Sequence, residues 1–307
     1  MLKHGADVNA NEIDGGLLHT LSAFSMTPEM RKEGFTKGAP GMASMGLKVP
    51  DFYGNLPDDI NGTPGEMLAL LAKAGLDVNV KRADGISAFM VAMRLHKLDL
   101  CKSMLRNGAD AVSITEVDFG RRKMKTYPIC AGAEFADVEM MQLILDQKPD
   151  VNVSVETAAL GMTMNSDYGG NTNWGGDGYT PLIISIMSGN TDVANLLLDN
   201  EASIKKGSSG ISIIPTKFVI IQCLTTIKNK TAIYWAVEQE DLALVERIAK
   251  MMNWKFNPDF TIKQYGGSNK GFGGFSCAKF KKKQSPSIYA MTVKNMEAYK
   301  MLAAKGL

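Results

Sequence analysis

Histidine and cysteine are scarce in this 307-residue chain, three of one and four of the other, and both are scattered. His4, His19 and His96 are not placed to share a metal, and no cysteine stands near them at ligand spacing. Cys101, Cys130, Cys223 and Cys277 show no paired spacing; Cys101 and Cys130 fall on helix positions that read as core, so buried inert thiols are expected, which favours a reducing compartment. Charge of one sign is also missing: 34 basic side chains face 32 acidic ones, a formal +2 that implies no strongly charged partner. No apolar run reaches the roughly 18 residues of a membrane-spanning helix, and no signal peptide is visible. There is no G-x-S-x-G elbow, no phosphate loop and no H-E-x-x-H. Gly-Gly pairs at 169–170, 175–176, 266–267 and 273–274 lack the strand–loop–helix context of a phosphate cradle. Asn165, Asp167, Asn171, Asn173 and Asp177 miss the EF-hand spacing and read as turn residues. No catalytic residue, cofactor or metal is expected, and the chain reads as non-enzymatic.

What the chain has instead is repetition. From Asp177 to Ala202 it reads DGYTPLIISIMSGNTDVANLLLDNEA. Thr180 before Pro181 is a helix start: the hydroxyl caps free N–H groups, and proline at the first helical position gives up a donor that had no partner. Leu182, Ile183 and Ile186 follow at helical spacing, Gly189 stops the helix, and a second begins near Asn190–Thr191 with Val193, Leu196 and Leu197 on one face. Two short helices with one apolar face each need neighbours of their own kind. Copies begin at Ser87, Tyr127, Thr231 and Ser285, and in all five the second helix ends 21 residues after the start.

A T-P-L-H-x-A start, a glycine stop, a V-x-x-x-L-L second helix and a closing G-A-D-V-N turn resemble the ankyrin repeat. The resemblance implies an all-α solenoid of stacked helix–turn–helix units with β-hairpin fingers, here elongated, and long loop insertions. It assigns 1–307 to a single domain. Residues 1–10 (MLKHGADVNA) close a truncated repeat, so the chain reads as a piece of something longer. Repeats then occupy 14–79 with a loop insertion at 27–63, 80–110 in regular form, 111–150, 151–203 and 204–253 with long fingers, and 254–307 as the terminal repeat with another long finger. His19 takes the place of the histidine that holds the turn in the family, and His96 stands where the helix-stop glycine belongs. The twenty methionines fill core slots more often given to leucine, which describes a soft core.

Gly75 to Ser87 is the standard connection of 12 residues; later connections exceed it by 7, 20, 18 and 21, all at the finger. Val151–Val155 alternates with period 2, and Ile211–Ile214 and Phe218–Leu224 are β-branched and aromatic around Pro215-Thr216-Lys217, so strands are expected there. A loose insert of some 20 residues adds only about 1 kcal/mol of closure cost, whereas ordering it costs roughly 1–2 kcal/mol per residue; ordered fingers must pack on something. Their aromatics supply candidates: Tyr168, Trp174, Tyr179, Tyr265, Phe272 and Phe275 are the expected partner-binding residues. Lys279, Lys281, Lys282 and Lys283 form the one dense basic run and read as a solvated hairpin flank.

The resemblance implies a scaffold that binds a protein partner through the concave face of fingers and first helices, with no nucleic acid expected. A rival reading is a small-molecule or carbohydrate-binding module using Tyr168, Trp174 and Tyr179 as stacking platforms. A cytoplasmic location is favoured, with secretion or the periplasm open if a leader was removed.

Overall fold

The computed structural model describes residues 7–9, 16–24, 63–82, 85–118, 123–156, 173–215, 222–252, 260–264 and 280–307. The loop insertion at 27–63, apart from Thr63, lies outside them. The chain divides into two compact units, Met1–Asp110 and Ala111–Leu307, where the sequence reading runs one domain throughout.

The first unit holds α1 (Gly16–Phe24), α2 (Pro64–Lys73), α3 (Ala88–Arg94) and α4 (Leu98–Arg106). Thr63 opens α2 with a capping box shared with Glu66, and the Ser87 hydroxyl caps α3 by accepting from the Met90 N–H. α1 packs on α3 and α2 on α4, burying Leu18, Leu68, Phe89, Met93, Leu100 and Met104. His19 is buried with Nε2 3.0 Å from the Ile86 carbonyl oxygen, so it does hold the next turn. His96 sits at φ 52°, the left-handed stop expected of it.

Among the described residues the second unit holds four helix pairs: α5 (Pro128–Phe135) with α6 (Val138–Leu145), α7 (Pro181–Met187) with α8 (Thr191–Asp199), α9 (Ala232–Glu238) with α10 (Leu242–Met251), and α11 (Pro286–Thr292) with α12 (Met296–Ala304). First helices contact one another in succession, α5 on α7, α7 on α9, α9 on α11. Their apolar residues are almost wholly covered: Ile129, Leu182, Ile183, Ile184, Ile233 and Tyr234 are each at most 1% exposed. Met140 and Met141 are buried in α6, so methionine does fill core slots. Cys101 and Cys130 are buried as well, and burial pushes both thiols well above the ordinary range.

The expected all-α solenoid is corrected by the strands. β1 (Thr115–Asp118) and β2 (Lys123–Thr126) form a two-stranded hairpin. β3 (Asn173–Asp177), β4 (Gly207–Pro215), β5 (Gln222–Thr231), β6 (Phe260–Gln264) and β7 (Phe280–Gln284) form one antiparallel sheet in chain order. The β4–β5 and β6–β7 ladders close individual fingers, but β3–β4 and β5–β6 join one finger to the next. A lengthened finger exposes backbone donors and acceptors that need partners, and the neighbouring finger is the nearest source. Helical periodicity carries no trace of that lateral pairing.

Two strand expectations also change. Val151–Val155 is a turn with one bridge, Val155 to Tyr179, because the Asp150 carboxylate accepts from the Asn152 N–H at 2.8 Å and bends the chain. β5 begins at Gln222, and Phe218–Ile221 of the expected strand lie outside the described residues.

Candidate interaction surface

Each finger enters its helix abruptly, so the base of the sheet is built at the helix caps. Tyr179 and Thr180 link β3 to α7, Thr231 ends β5 directly at α9, and Ser285 links β7 to α11. The strands approach closely there. Gly178 holds φ 80°, and a Cβ on it would lie 2.7 Å from the Gly207 carbonyl oxygen. A Cβ on Gly207 would lie 2.5 Å from Asn229 Oδ1 and 2.7 Å from its carbonyl carbon. Asn229, at φ 60°, lies in the irregularity where two steps of β4, Ser208 to Gly210, face three steps of β5, Lys230 to Ile227.

Past that bulge Lys230 turns inward. Its side chain is 4% exposed, its ammonium pairs with Glu238 Oε2, and Nζ stands 3.5 Å from the centroid of the Trp235 ring. The Tyr289 hydroxyl donates to Glu238 Oε1, the Tyr234 hydroxyl donates to the Gln284 carbonyl at 2.7 Å, and the Trp235 indole N–H donates to Ser208 Oγ at 3.1 Å. Tyr234 meets Tyr289 edge-on at 5.5 Å between centroids, and Tyr179 lies 6.3 Å from Trp235. Burial lowers the Lys230 pKa, with Glu238 pulling the other way; burial and the Glu238 charge raise that of Tyr289. A buried lysine beside a carboxylate is a base or nucleophile only where substrate reaches it. Here the ammonium is closed in by Trp235, Tyr289 and Glu238, and the cluster fastens β4, β5 and β7 to α9 and α11.

The outward lysines are arranged differently. Lys228 is paired with Thr261, and Thr261 with Lys283; Lys263 is paired with Lys281 in the adjoining row. Cross-strand partners share a face, as do residues two apart on a strand, so Lys228, Lys263, Lys281 and Lys283 stand on one face of three neighbouring strands. Lys228, Lys281 and Lys283 are exposed and Lys263 is half-buried. Elsewhere, the α5–α6 and α7–α8 turns border an open cleft of about 640 Å³ lined by Glu134, Asp137, Glu139 and Asp192 with Phe135 and Val138. Part of that polar lining already serves the fold: Asp137 caps α6, and Asn190 Nδ2 donates to the Ala136 carbonyl.

Of the aromatics expected to bind a partner, Tyr179 is 3% exposed, with its backbone bridged to Val155 and its ring beside Trp235; as placed it is a packing residue. Trp174 lies on β3, paired with β4. Tyr168, Tyr265, Phe272 and Phe275 lie outside the described residues. Sequence reasoning grouped Lys279 with Lys281–Lys283 as a linear run and missed Lys228 and Lys263, which only the register brings alongside. The available signal was the pair of matching five-residue strands FTIKQ and FKKKQ.

The ankyrin-repeat family model matches residues 177–206, which run from the end of β3 through Thr180, α7, the Gly189 turn and α8 to the residue before β4. The chain carries an ankyrin repeat. Ankyrin repeats suggest a protein-interaction module, and this one delivers its chain directly into the five-stranded sheet. In the ankyrin repeat, Thr180 Oγ1 accepts from the Ile183 N–H at 3.3 Å, Asn190 caps α8, and Gly189 turns the chain at φ 69°. No curated protein matches the chain. Among the described residues no helix is long and apolar enough to cross a membrane.

Proposed function

We propose that the chain is a non-enzymatic scaffold that binds a protein partner through its fingers and the first helices beneath them. The observation that carries this reading is the junction of the ankyrin repeat at 177–206 with the sheet β3–β7. Ordering fingers of this length costs roughly 1–2 kcal/mol per residue, and the lateral ladders and the Lys230–Trp235–Tyr289 lock supply what holds them. The product is a broad, fixed surface with its base cemented to the helices, which is what a rigid docking face requires and a flexible loop does not provide. Burial of Tyr179 removes one of the three rings on which a carbohydrate platform depended.

The test is capture of a partner from an extract of the source organism by the full chain, followed by chemical cross-linking and peptide mapping. Cross-links concentrated on lysines of β5–β7 support the reading. No captured protein, or cross-links confined to the second helices α6, α8, α10 and α12, would overturn it.

A further inference from the structure

We infer that the lysine face of β5–β6–β7 binds an extended, acidic segment of the partner protein; this deepens the interaction reading above and rests on it. β5, β6 and β7 together carry Lys228, Lys230, Lys263, Lys281, Lys282 and Lys283, and no aspartate, glutamate or arginine. Lys230 is withdrawn into the junction by the bulge at Asn229, which leaves Lys228, Lys263, Lys281 and Lys283 in two adjoining rows of one face. The chain as a whole is nearly balanced at +2, so this is a local concentration of charge, not a reflection of composition.

A simpler account would make these lysines guards of a sheet margin, where charged side chains deter strand-to-strand aggregation. That accounts for Lys281–Lys283 on β7. It does not account for Lys263 on β6 or Lys228 on β5, which have strands on both sides. Lys263 is directly opposite Lys281, a like-charge pairing that works against the ladder.

The chemistry of the face selects the ligand. Lysine is a compact point charge that makes one contact per ammonium, and the planar fork that grips an anion at two points belongs to arginine, which these strands lack, so the face reads a ligand by the spacing of its charges. The described residues of the face, Lys228, Thr261, Lys263, Lys281 and Lys283, offer no aromatic ring on which an unpaired base would stack. Alternate residues of a strand are about 7 Å apart. An extended peptide with glutamate or aspartate at every second position therefore repeats the spacing of Lys281 and Lys283. It would lie along the strand direction, its successive carboxylates meeting the row of Lys281 and Lys263 and the row of Lys283 and Lys228.

The test uses the full chain and a fluorescein-labelled peptide of alternating glutamate and threonine, followed by fluorescence anisotropy. Binding should weaken at least about tenfold between low and high salt, because exposed charges are screened within a few ångströms at molar ionic strength. The quadruple variant Lys228→Gln/Lys263→Gln/Lys281→Gln/Lys283→Gln should weaken it by about tenfold or more. The control Lys73→Gln/Lys148→Gln/Lys294→Gln/Lys300→Gln, which removes the same charge elsewhere, should stay within about twofold, since charges far from the contact act only through the screened long-range field. Circular dichroism verifies folding, and the pair Lys263→Gln/Lys281→Gln against Lys73→Gln/Lys300→Gln repeats the comparison if the larger variant does not fold. No peptide binding at low salt, equal losses in face and control variants, or tighter lysine-dependent binding of oligouridylate or phosphatidylserine vesicles would overturn the inference. If the quadruple face variant still captures the partner from extract as the wild type does, the lysine face falls and the scaffold reading stands. If neither chain captures a protein, both fall.

Discussion

Single residues set the turns of this protein by accepting an unfavourable backbone. Gly75, Gly108, Gly189 and Gly306 take positive φ at helix ends, and His96, Lys148, Glu201, Glu240 and Lys294 do the same with a side chain, at φ between 52° and 66°. A left-handed residue with a Cβ costs roughly 1–2 kcal/mol, against about 0.5–1 kcal/mol for the extra chain entropy of glycine. Lys148→Gly and Glu201→Gly should therefore each raise stability by ~0.5 kcal/mol, read as a higher urea midpoint at unchanged m-value. A second residue-scale expectation concerns pH. Burial and Glu238 raise the Tyr289 pKa above its unfolded value of about 10. From about pH 10 upward the unfolded chain releases this proton while the folded one retains it, so stability falls as pH rises. Tyr289→Phe, compared with wild type by urea titration between pH 9 and about 11, should lose less stability over that interval. Lys230 has the opposite sign: its lowered folded pKa gives a contribution that grows as pH climbs toward the unfolded lysine value of about 10.4.

At the scale of elements, the base of the sheet depends on glycine because three backbones meet there. Gly207→Ala would drive a methyl into Asn229, whose Oδ1 and backbone lie 2.5–2.9 Å from the added carbon. Backbone cannot yield as a side-chain tip does, so a loss of about 1–3 kcal/mol is expected, the range for overpacking. Amide hydrogen exchange should rise along β4 and β5 before it rises in α7 or α9. The Asp-Val-Asn turns show a different economy. Asp7, Asp77 and Asp150 each accept from the N–H two residues on. The following asparagines reach the next turn: Asn9 to Gly75 O and Asp77 N, Asn79 to Gly108 O and Asp110 N, Asn152 to Ser203 N. Asn79→Ala removes two such bonds and should cost about 1–2 kcal/mol, measurable as a lower thermal midpoint.

For the whole molecule, the chain divides at Asp110 into two units, each with buried apolar residues of its own. Leu18, Leu68, Leu100 and Met104 belong to the first, and Ile144, Leu197, Tyr234 and Val245 to the second. All three tryptophans, Trp174, Trp235 and Trp254, fall in the second unit. Leu68, wholly buried in α2, should cost about 2–5 kcal/mol when changed to alanine. The loss should move the denaturation midpoint seen by far-ultraviolet circular dichroism more than the one seen by tryptophan emission. Coincident shifts would show that the chain unfolds as one cooperative block.

The sequence by itself determined the helices. Thr180-Pro181 and Ser285-Pro286 stand at the starts expected of them, Gly189 stops α7, and His19 and His96 hold turns, because capping, chain stiffness and apolar period act within a few residues. Tertiary structure alone decided the sheet, the burial of Tyr179 and Lys230, and the gathering of Lys228 and Lys263 beside Lys281 and Lys283. Those outcomes depend on which finger pairs with which and on one bulge at Asn229. Strand register is a relation between segments far apart in the chain, and a period-2 pattern says only which residues share a face, not what stands opposite them.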